Sequence, residues 1–414
     1  MTSAFFTRPF LAVLLSSGIA FANAPQDPTI LEFGLDDTLF VADAATGTVF
    51  AYDLPNDGAA PAEDKPYNIL DLDGMLVEAL GAERGTIVFK DLAVHPVTRE
   101  AYASVSYIMD GAPKSAVVSV SREGAVTEVP LADLASSSFV IEDPADTAVS
   151  FWRDIPAPTL TVTDLDFAND ELFISGISTG EFASTMRRVA YPFGEGATSS
   201  SIEMYHAAHA QNETRAPIRA MTVLDLEGTQ TVVAAYTCTP LVTIPVSDLT
   251  DGSHVTGKTI AELGYGNTPL DVIAFSAANM DGSIGSYVLV VNREMDADLI
   301  TVEDLTTASN APGLTEPVPY LGATAGVRTT PLPLSGVLHM ADQDNQFLLG
   351  MRRNLNTGSL EMVSFRKGAF FRLSDFISEY NFPDYVYSDD EFAQGTRMFQ
   401  NMLKGDEGFP DQMR

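Results

Sequence analysis

Apolar and polar residues alternate through most of the chain after its first two dozen residues. The segment TLFVADAATGTVFAYDL shows two alternating runs separated by the turn-rich residues 44–47. Because successive side chains of a strand point to opposite faces, this segment predicts two antiparallel strands joined by a hairpin. Five similar pairs follow, namely EAYASVSY with SAVVSVSREG, ELFISG with TMRRVAYPF, TVVAAYT with LVTIPVSDL, SYVLVVN with DLITVEDL, and QFLLGMRR with SLEMVSF.

The pairs recur at a spacing of roughly 60 residues, which is typical of a repeat architecture. An apolar run precedes each pair (ILEFG, VFKDLAV, LTVTDLDFA, IRAMTVLDL, PLDVIAF, GVLHMA), and a fourth run often follows it (NILDLD, AVTEVP, SIEMYH, KTIAELG). Four antiparallel strands per repeat predict an all-β β-propeller with six blades. Residues 137–158 and 306–333 fit the pattern poorly and leave seven blades open, and tandem β-sandwiches are the other all-β alternative.

Three segments are predicted. Residues 1–24 resemble a signal peptide, because Arg8 precedes the apolar run PFLAVLLSSGIAFA and Ala22-Asn23-Ala24 offers a cleavage site. Residues 25–373 form the propeller, with a helix over residues 73–83 between the first two blades. Residues 374–414 form a helical C-terminal appendix. No other stretch approaches the roughly 20 apolar residues of a membrane helix, so we expect a periplasmic or secreted protein without a membrane partner.

Charge narrows the range of partners. The chain has 23 basic and 56 acidic residues, a formal net charge of −33. Nucleic acids and anionic lipids require a basic surface, so we expect neither as a partner. A cation, a small molecule or a cationic protein is favoured, and we expect a monomer. Cys238 is the single cysteine and has no disulfide partner within the chain, so it is either a buried apolar side chain, a metal ligand or a modified side chain.

A sequence motif shared by three of the apolar runs that precede the pairs supplies the main candidate site. These runs are the predicted inner strands, which line the central channel of a propeller. FKDLAV, TVTDLDF and TPLDVIAF place Asp91, Asp164 and Asp271 at equivalent positions, with Arg219 at the same level and Gly336 near it in the sixth blade. Carboxylates that converge on a channel repel one another unless a cation or raised pKa values relieve them. Oxygen ligands suit Ca²⁺, Mg²⁺ or Mn²⁺. Two alternatives stay open: hydrogen bonds from these aspartates to adjacent blades, and direct substrate binding.

A second constellation lies in EMYHAAHAQNETRAPIRA, which supplies Tyr205, His206, His209, Glu213, Arg215 and Arg219. We expect this connection to lie at one mouth of the channel. Two histidines three residues apart can coordinate the same metal ion only if the chain turns between them, so the motif is weak. The alternative is that both are ordinary surface histidines. The other histidines, His95, His254 and His339, are predicted to be structural.

Common catalytic signatures are missing from the sequence. It contains no GxSxG elbow, no Walker loop and no CxxCH haem site, and its one tryptophan excludes the repeated tryptophan motifs of quinone-dependent propeller dehydrogenases. The specific phrases YHAAHAQNETRAPIR and YTCTPLV, within residues 38–292, resemble a group of exported bacterial propeller proteins distantly similar to NHL and YVTN repeat proteins. That group has no established activity, so the resemblance implies a fold and export only.

These observations favour an exported binding protein whose channel mouth holds a metal or ligand, with catalysis left open. The predicted metal ligands are Asp91, Asp164, Asp271, His206, His209, Glu213 and Cys238. One alternative is a lactonase-like or esterase-like hydrolase that uses a divalent metal, with Glu32 as a further ligand, His206 or His209 as base and Arg219 as anion clamp. The other is a copper-dependent oxidoreductase or copper-handling protein, with Tyr205, His206, His209, Tyr236 and Cys238 near the metal.

Overall fold

The computed structural model describes residues 24–55, 58–194, 196–279, 281–319, 324–334, 336–382 and 384–409. The predicted signal peptide lies outside the described residues except for Ala24. Among the residues that the structure describes, no helix combines the length and apolar content needed to cross a lipid bilayer.

Strands make up most of the regular structure. β1 to β9 cover Ile30–Phe33, Thr38–Asp43, Thr48–Asp53, Asn68–Ile69, Val88–Val94, Ala101–Met109, Ala112–Val120, Val126–Glu128 and Ser136–Val140. β10 to β19 cover Ser150–Phe151, Ile155–Pro156, Asp164–Ala168, Glu171–Ile177, Ser184–Ala190, Thr198–His206, Gln211–Glu213, Ile218–Leu226, Thr229–Tyr236 and Pro240–Pro245. β20 to β28 cover His254–Glu262, Pro269–Ala278, Ile284–Asn292, Ala297–Thr301, Ala325–Gly326, Thr330–Leu332, Val337–Asp342, Phe347–Arg353 and Leu360–Arg366. Three α-helices are described, α1 (Leu72–Leu80), α2 (Val302–Asn310) and α3 (Asp390–Asp406).

The strands form four-stranded antiparallel units, numbered here by their first strands. Unit 1 contains β1, β2, β3 and β9; unit 2 contains β5 to β8; unit 3 contains β12 to β15. Unit 4 contains β17 to β20; unit 5 contains β21, β22, β23 and β25; unit 6 contains β26, β27, β28 and β4. In every unit the second and third strands are the hairpin pair that the alternation predicts, so all six predicted pairs are confirmed.

Tight turns fix the register of three units. Asp110-Gly111, Asn169-Asp170 and Glu227-Gly228 each join two antiparallel strands, and both residues of each turn have positive φ. Two consecutive positive φ angles characterise the type I′ hairpin, whose twist matches that of the flanking strands. Glycine, asparagine and aspartate tolerate this conformation best, which explains most of the residues at these turns.

The first strands of the units contact one another in a closed order: β1, β5, β26, β21, β17, β12 and back to β1. Between neighbouring units lie separate clusters of buried apolar side chains, for example Phe40 and Leu172 between units 1 and 3, and Leu72, Val118 and Met362 where α1 lies between units 2 and 6. Burying one such large side chain contributes about 1.5–3 kcal/mol. The core is therefore divided into wedges around a central axis, which is the arrangement of a β-propeller.

The blade count differs from the prediction. Units 1, 2, 5 and 6 are separate four-stranded sheets, and they are the four blades that the structure shows within the described residues. Units 3 and 4 are joined through a parallel pairing of β15 with β20, in which Met204 lies opposite Gly257, and together with β16 and β24 they make one ten-stranded sheet. The propeller arrangement is confirmed, but with four separate blades rather than six or seven.

Two units are completed by strands from distant parts of the chain. β4, predicted to complete the first repeat, pairs instead with β28, so that Ile69 lies opposite Met362. The outer strand of unit 1 is β9, which the chain reaches only after completing unit 2. Units 1 and 2 therefore follow each other around the axis in the reverse of their chain order. Alternation predicts a strand but carries no information on which sheet edge receives it.

The two segments suspected of hiding a blade contain none among their described residues. Within residues 137–158 lie most of β9 and the small hairpin of β10 and β11. Within residues 306–333 lie most of α2 and the short strands β24 and β25, of which β25 completes unit 5.

The helices differ from the prediction in position more than in extent. α1 begins at the N-cap Asp71, whose carboxylate accepts the backbone N–H of Gly74, and ends at Gly81 with φ 66°. It packs between units 2 and 6 rather than between the first two blades, because units 1 and 2 are exchanged. The appendix docks on unit 6: the side chain of Asp406 in α3 pairs with Arg366 of β28, and its backbone carbonyl oxygen accepts the side-chain N–H of Asn68 in β4 at 2.6 Å.

Tyr67 provides a test of the strand exchange. Its buried hydroxyl accepts the backbone N–H of Ala101 and donates to the carbonyl oxygen of Val120, both at 3.0 Å, and so ties the exchanged segment to unit 2. Tyr67→Phe should lower the free energy of unfolding by about 1–3 kcal/mol, because it leaves a buried N–H without this partner. Urea denaturation measures the change. Tyr380→Phe, at a 39 % exposed tyrosine of the appendix, is the control; equal stability of the two variants would contradict the role given to Tyr67.

Candidate functional site

The channel side chains are positioned by an irregularity in four of the first strands. The register with the second strand shifts between Phe89 and Asp91 in β5, between Ile218 and Ala220 in β17, between Pro269 and Asp271 in β21, and between Val337 and His339 in β26. An extra residue of this kind bends a strand and re-aims the side chain that follows it. Asp91, Ala220, Asp271 and His339 are therefore equivalent. Asp164 joins them, because it lies opposite Ser175 as Asp91 lies opposite Ser104.

This register corrects two members of the predicted level. Gly336 precedes β26, and the residue equivalent to the aspartates in unit 6 is His339. Arg219 lies one residue before the level, where Ala220 takes the equivalent position. Both errors arise because a one-residue bulge shifts the strand in a way that apolar alternation does not reveal.

The three aspartates join neighbouring units. One oxygen of Asp91 accepts the backbone N–H of Leu31 at 2.7 Å, one of Asp164 accepts that of Met221 at 2.6 Å, and one of Asp271 accepts that of Met340 at 2.9 Å. The second oxygen of Asp91 and of Asp164 accepts the N–H of the following residue. The structure thus contains the hydrogen bonds to adjacent units that were one alternative. A carboxylate oxygen has two lone pairs, so each retains capacity for a further ligand.

His339 extends the aspartate level to unit 6, although the sequence favoured a structural role for it. Its Nδ1 lies 3.2 Å from Oδ1 of Asp271 and 3.6 Å from Oδ1 of Asp91. Burial lowers the pKa of His339, but the carboxylates of Asp271 and Asp91 raise it by more, so the net pKa is above its usual value. An alignment of VLHMAD with FKDLAV would have revealed this residue, since histidine then takes the place of aspartate.

A cavity of about 340 Å³ lies in the channel beside these residues. Its lining includes six carboxylates from five first strands, namely Glu32, Asp91, Asp164, Asp166, Asp271 and Asp342. Arg99 is the one basic side chain among its described lining residues. Asp166 was not predicted as a site residue, although it follows Asp164 by two positions and alternate residues of a strand share a face. Glu32, considered only as a further ligand, belongs to this group.

The surroundings of these carboxyl groups disfavour their ionised form. Burial raises the pKa of Asp91 and of Asp166 to about 7. Burial also raises the pKa of Glu32 well above its usual value, and the neighbouring charges of Asp166, Asp164 and Asp91 raise it further. The side chains of Asp91 and Asp271 keep 12 % and 15 % of their surface exposed, so the channel still admits solvent to them. A cation at this place would offset the repulsion directly.

Arg219 lies near the carboxylate of Asp164. Burial lowers its pKa, and the nearby Arg293 lowers it further, while Asp164 acts in the opposite direction. Its Nε is buried and has no hydrogen-bond partner among the described residues. Its predicted role as an anion clamp stays a prediction.

The histidine constellation lies away from the aspartates. His206 ends β15, the outer strand of unit 3; His209 lies in the following turn, and Glu213 ends β16. None of the three lines the channel cavity. Burial raises the pKa of Glu213, but contacts with His206 and His209 lower it to about 2 overall. The sequence placed this segment at the channel mouth because it connects an outer strand to the next inner strand, but it begins at the end of the outer strand β15 and its three side chains lie outside the cavity lining.

Cys238 joins neither group. It lies in the turn between β18 and β19 with φ 67° and is only partly buried, so it is not the buried strand residue that was one expectation. Within the described part of the chain, two groups have side chains spaced to share one metal ion: Asp91, Asp271 and His339, and His206, His209 and Glu213. The predicted copper site that combines Cys238 with the histidines is therefore not assembled.

No protein-family model and no curated protein matches the sequence. Solved structures with a similar course of the chain include Drosophila Semaphorin 1b, extracellular domains 1–2 (8 % identity, TM-score 0.34, covering 84 % of this chain and 86 % of that one). Virginiamycin B lyase from Staphylococcus aureus (7 %, TM-score 0.32, 83 % and 96 %) and a glucose dehydrogenase (9 %, TM-score 0.31, 82 % and 96 %) are further examples. Likeness at this level gives no information about activity, ligand or partner.

Removing one channel charge should stabilise the cation-free protein. Glu32→Gln keeps the shape of the side chain while removing a carboxyl group whose ionisation is opposed by burial and by the charges of three neighbouring aspartates. We expect the free energy of unfolding in the presence of chelator to rise by about 1–3 kcal/mol at pH 8. Denaturant unfolding measures the change. The exposed Glu128 provides the control: Glu128→Gln should alter stability by less than about 0.5 kcal/mol, and a destabilised Glu32→Gln protein would contradict the repulsion described here.

Proposed function

We propose that the chain is an exported propeller protein whose central channel binds a hard divalent cation, with Ca²⁺, Mg²⁺ and Mn²⁺ as candidates. The observation that carries the proposal is the convergence of Glu32, Asp91, Asp164, Asp166 and Asp271 on one cavity whose only basic lining residue among those described is Arg99. Carboxylate oxygens are the ligands these cations prefer.

The spacing of the side chains fits one ion. Ligand atoms of Asp91, Asp271 and His339 lie within 4.8 Å of one another, as they would around a single metal. Mn²⁺ accepts an imidazole alongside carboxylates, whereas Ca²⁺ and Mg²⁺ favour an all-oxygen set. The identity of the cation therefore depends on whether His339 or the Glu32 side of the channel supplies the remaining ligands.

The arrangement of the cavity supports a binding role. It is lined by carboxylates together with apolar side chains such as Leu92, Val272 and Met340, and it places Arg99 in the same space. A cation held by the carboxylates would leave room for a small molecule with an anionic or carbonyl group. The same proposal includes export with cleavage of the signal peptide before residue 25, a monomeric state and no nucleic-acid partner. These parts of the proposal rest on the sequence.

A metal-dependent hydrolase is the second candidate, favoured by the presence of a cavity beside the carboxylates. A bound cation would polarise a carbonyl group there. His206 and His209, predicted as bases, do not line the cavity, so a hydrolase would need a different base, and the carboxylates are the nearest titratable groups. Turnover of short lactones or aryl esters that is lost with chelator and restored by Ca²⁺ or Mn²⁺ would favour this candidate over binding alone.

Elemental analysis tests the channel site. Protein purified from the periplasm, or treated with chelator and reloaded with Ca²⁺, Mg²⁺ or Mn²⁺, should carry about one equivalent of one of these metals. Asp271→Asn and Asp164→Ala should lose it, because each removes a carboxylate oxygen from the channel, whereas His206→Ala should retain it. At a free metal concentration of 100 times Kd, the metal should stabilise the wild-type chain by about 2.7 kcal/mol.

The comparison with His206→Ala is the control, since this buried histidine lies outside the channel. If the wild-type protein neither retains nor rebinds any of the three metals and gains no stability from them, the channel is not a cation site.

A further inference from the structure

The outer edge of unit 3 contains a group of side chains that the channel site does not use. His206, at the end of β15, is almost completely buried, with 1 % of its side chain exposed. His209 follows in the turn and is 32 % exposed, and Glu213 lies on β16 at 18 %. β16 folds back on β15, so that His206 lies opposite Gln211, and this brings Glu213 to the two histidines.

The three side chains face one another at short distances. Oε1 of Glu213 lies 2.6 Å from Nδ1 of His209 and 3.1 Å from Nδ1 of His206. The centroids of the two imidazole rings are 3.8 Å apart at an angle of 39°. One ligand atom from each residue lies within 4.8 Å of the others, as around one metal ion.

The environment of His206 is the second, independent observation. Both of its ring nitrogens are buried, and neither has an aligned hydrogen-bond partner among the described residues. A buried polar group without a partner is costly unless something absent from the chain itself satisfies it. Nδ1 of His206 lies 3.1 Å from Oε1 of Glu213 without hydrogen-bond alignment, a spacing compatible with two ligands of one ion.

We propose that His206, His209 and Glu213 form a second metal site, separate from the channel, that takes a borderline transition metal such as Zn²⁺. Two imidazoles and one carboxylate match the ligand sets of zinc sites with three protein ligands, which leave a fourth position for water or an exogenous ligand. The partial exposure of His209 and Glu213 places that open position towards solvent. Ca²⁺ and Mg²⁺, which favour an all-oxygen ligand set, are poor partners for two imidazoles.

Glu262 supplies the outer shell of this site. It is buried, with its Oε1 accepting the backbone N–H of Ala207 at 2.7 Å, and its Oε2 lies 3.8 Å from Nε2 of His206. A carboxylate behind the non-ligating nitrogen is the usual way to fix the tautomer and orientation of a metal-binding histidine. Glu262 belongs to β20 of unit 4, so the metal would also strengthen the junction between units 3 and 4.

Zn²⁺ titration by calorimetry, with the full chain first stripped by chelator, tests the proposal. We expect one Zn²⁺ site that His209→Ala and Glu213→Gln each abolish and that Glu262→Gln weakens by about 10- to 100-fold. Co²⁺ bound in place of Zn²⁺ should give the intense visible absorption of a four-coordinate ion, and the same variants should remove it. His209 and Glu213 are partly exposed, so these variants are expected to fold, and circular dichroism checks that they do.

Two control variants separate this site from its surroundings. His254→Ala removes a histidine that is 36 % exposed and lies beside Glu203 on the neighbouring strand, and it should leave Zn²⁺ affinity unchanged. Asp271→Asn removes a channel ligand and should also leave it unchanged, so failure of the channel proposal and failure of this one are distinguishable. Absence of Zn²⁺ binding to the wild-type chain, or binding that survives in folded His209→Ala and Glu213→Gln, would overturn the proposal.

Discussion

The hydrogen bond from a channel carboxylate to the backbone of the next unit is the interaction on which the centre of the molecule depends. Asp91, Asp164 and Asp271 each accept an N–H from a first strand that belongs to another unit. First strands of adjacent propeller blades do not pair as a sheet, so their inward N–H groups need partners from side chains. These bonds supply such partners at three of the junctions around the axis.

This constraint also explains why the channel is acidic. Asp91 and Asp164 each accept N–H groups with both oxygens, one from their own strand and one from the neighbouring strand. An asparagine has only one acceptor oxygen and would direct its NH₂ group at the second donor. The fold therefore selects carboxylates at these two positions, and burial together with the charges of neighbouring carboxylates raises their pKa values and favours a cation. The binding chemistry follows from the way the units are joined.

The sequence predicts those features of the structure that depend on residues close together in the chain. Alternation identified the six hairpin pairs, and the shared motif identified Asp91, Asp164 and Asp271, because both depend on residues close together in the chain. His339 was missed because a different residue type occupies the equivalent position, and Arg219 was misplaced by one residue because bulges leave no trace in apolar alternation. The separation of the His206 group from the channel and the joining of units 3 and 4 depend on contacts between distant strands, which no local pattern specifies.

The exchange of β4 into unit 6 has a consequence for biosynthesis. The backbone N–H of Tyr67 bonds to the hydroxyl of Ser364, 297 residues further along the chain. During synthesis, residues 67–69 leave the ribosome long before their partner strand exists, and unit 2 must form beside an empty edge. Contacts of such long sequence separation form slowly and expose unpaired strands to other chains in the meantime. A nascent chain that stops short of residue 366 leaves this segment without its partner strand, as an unpaired edge that the finished protein conceals.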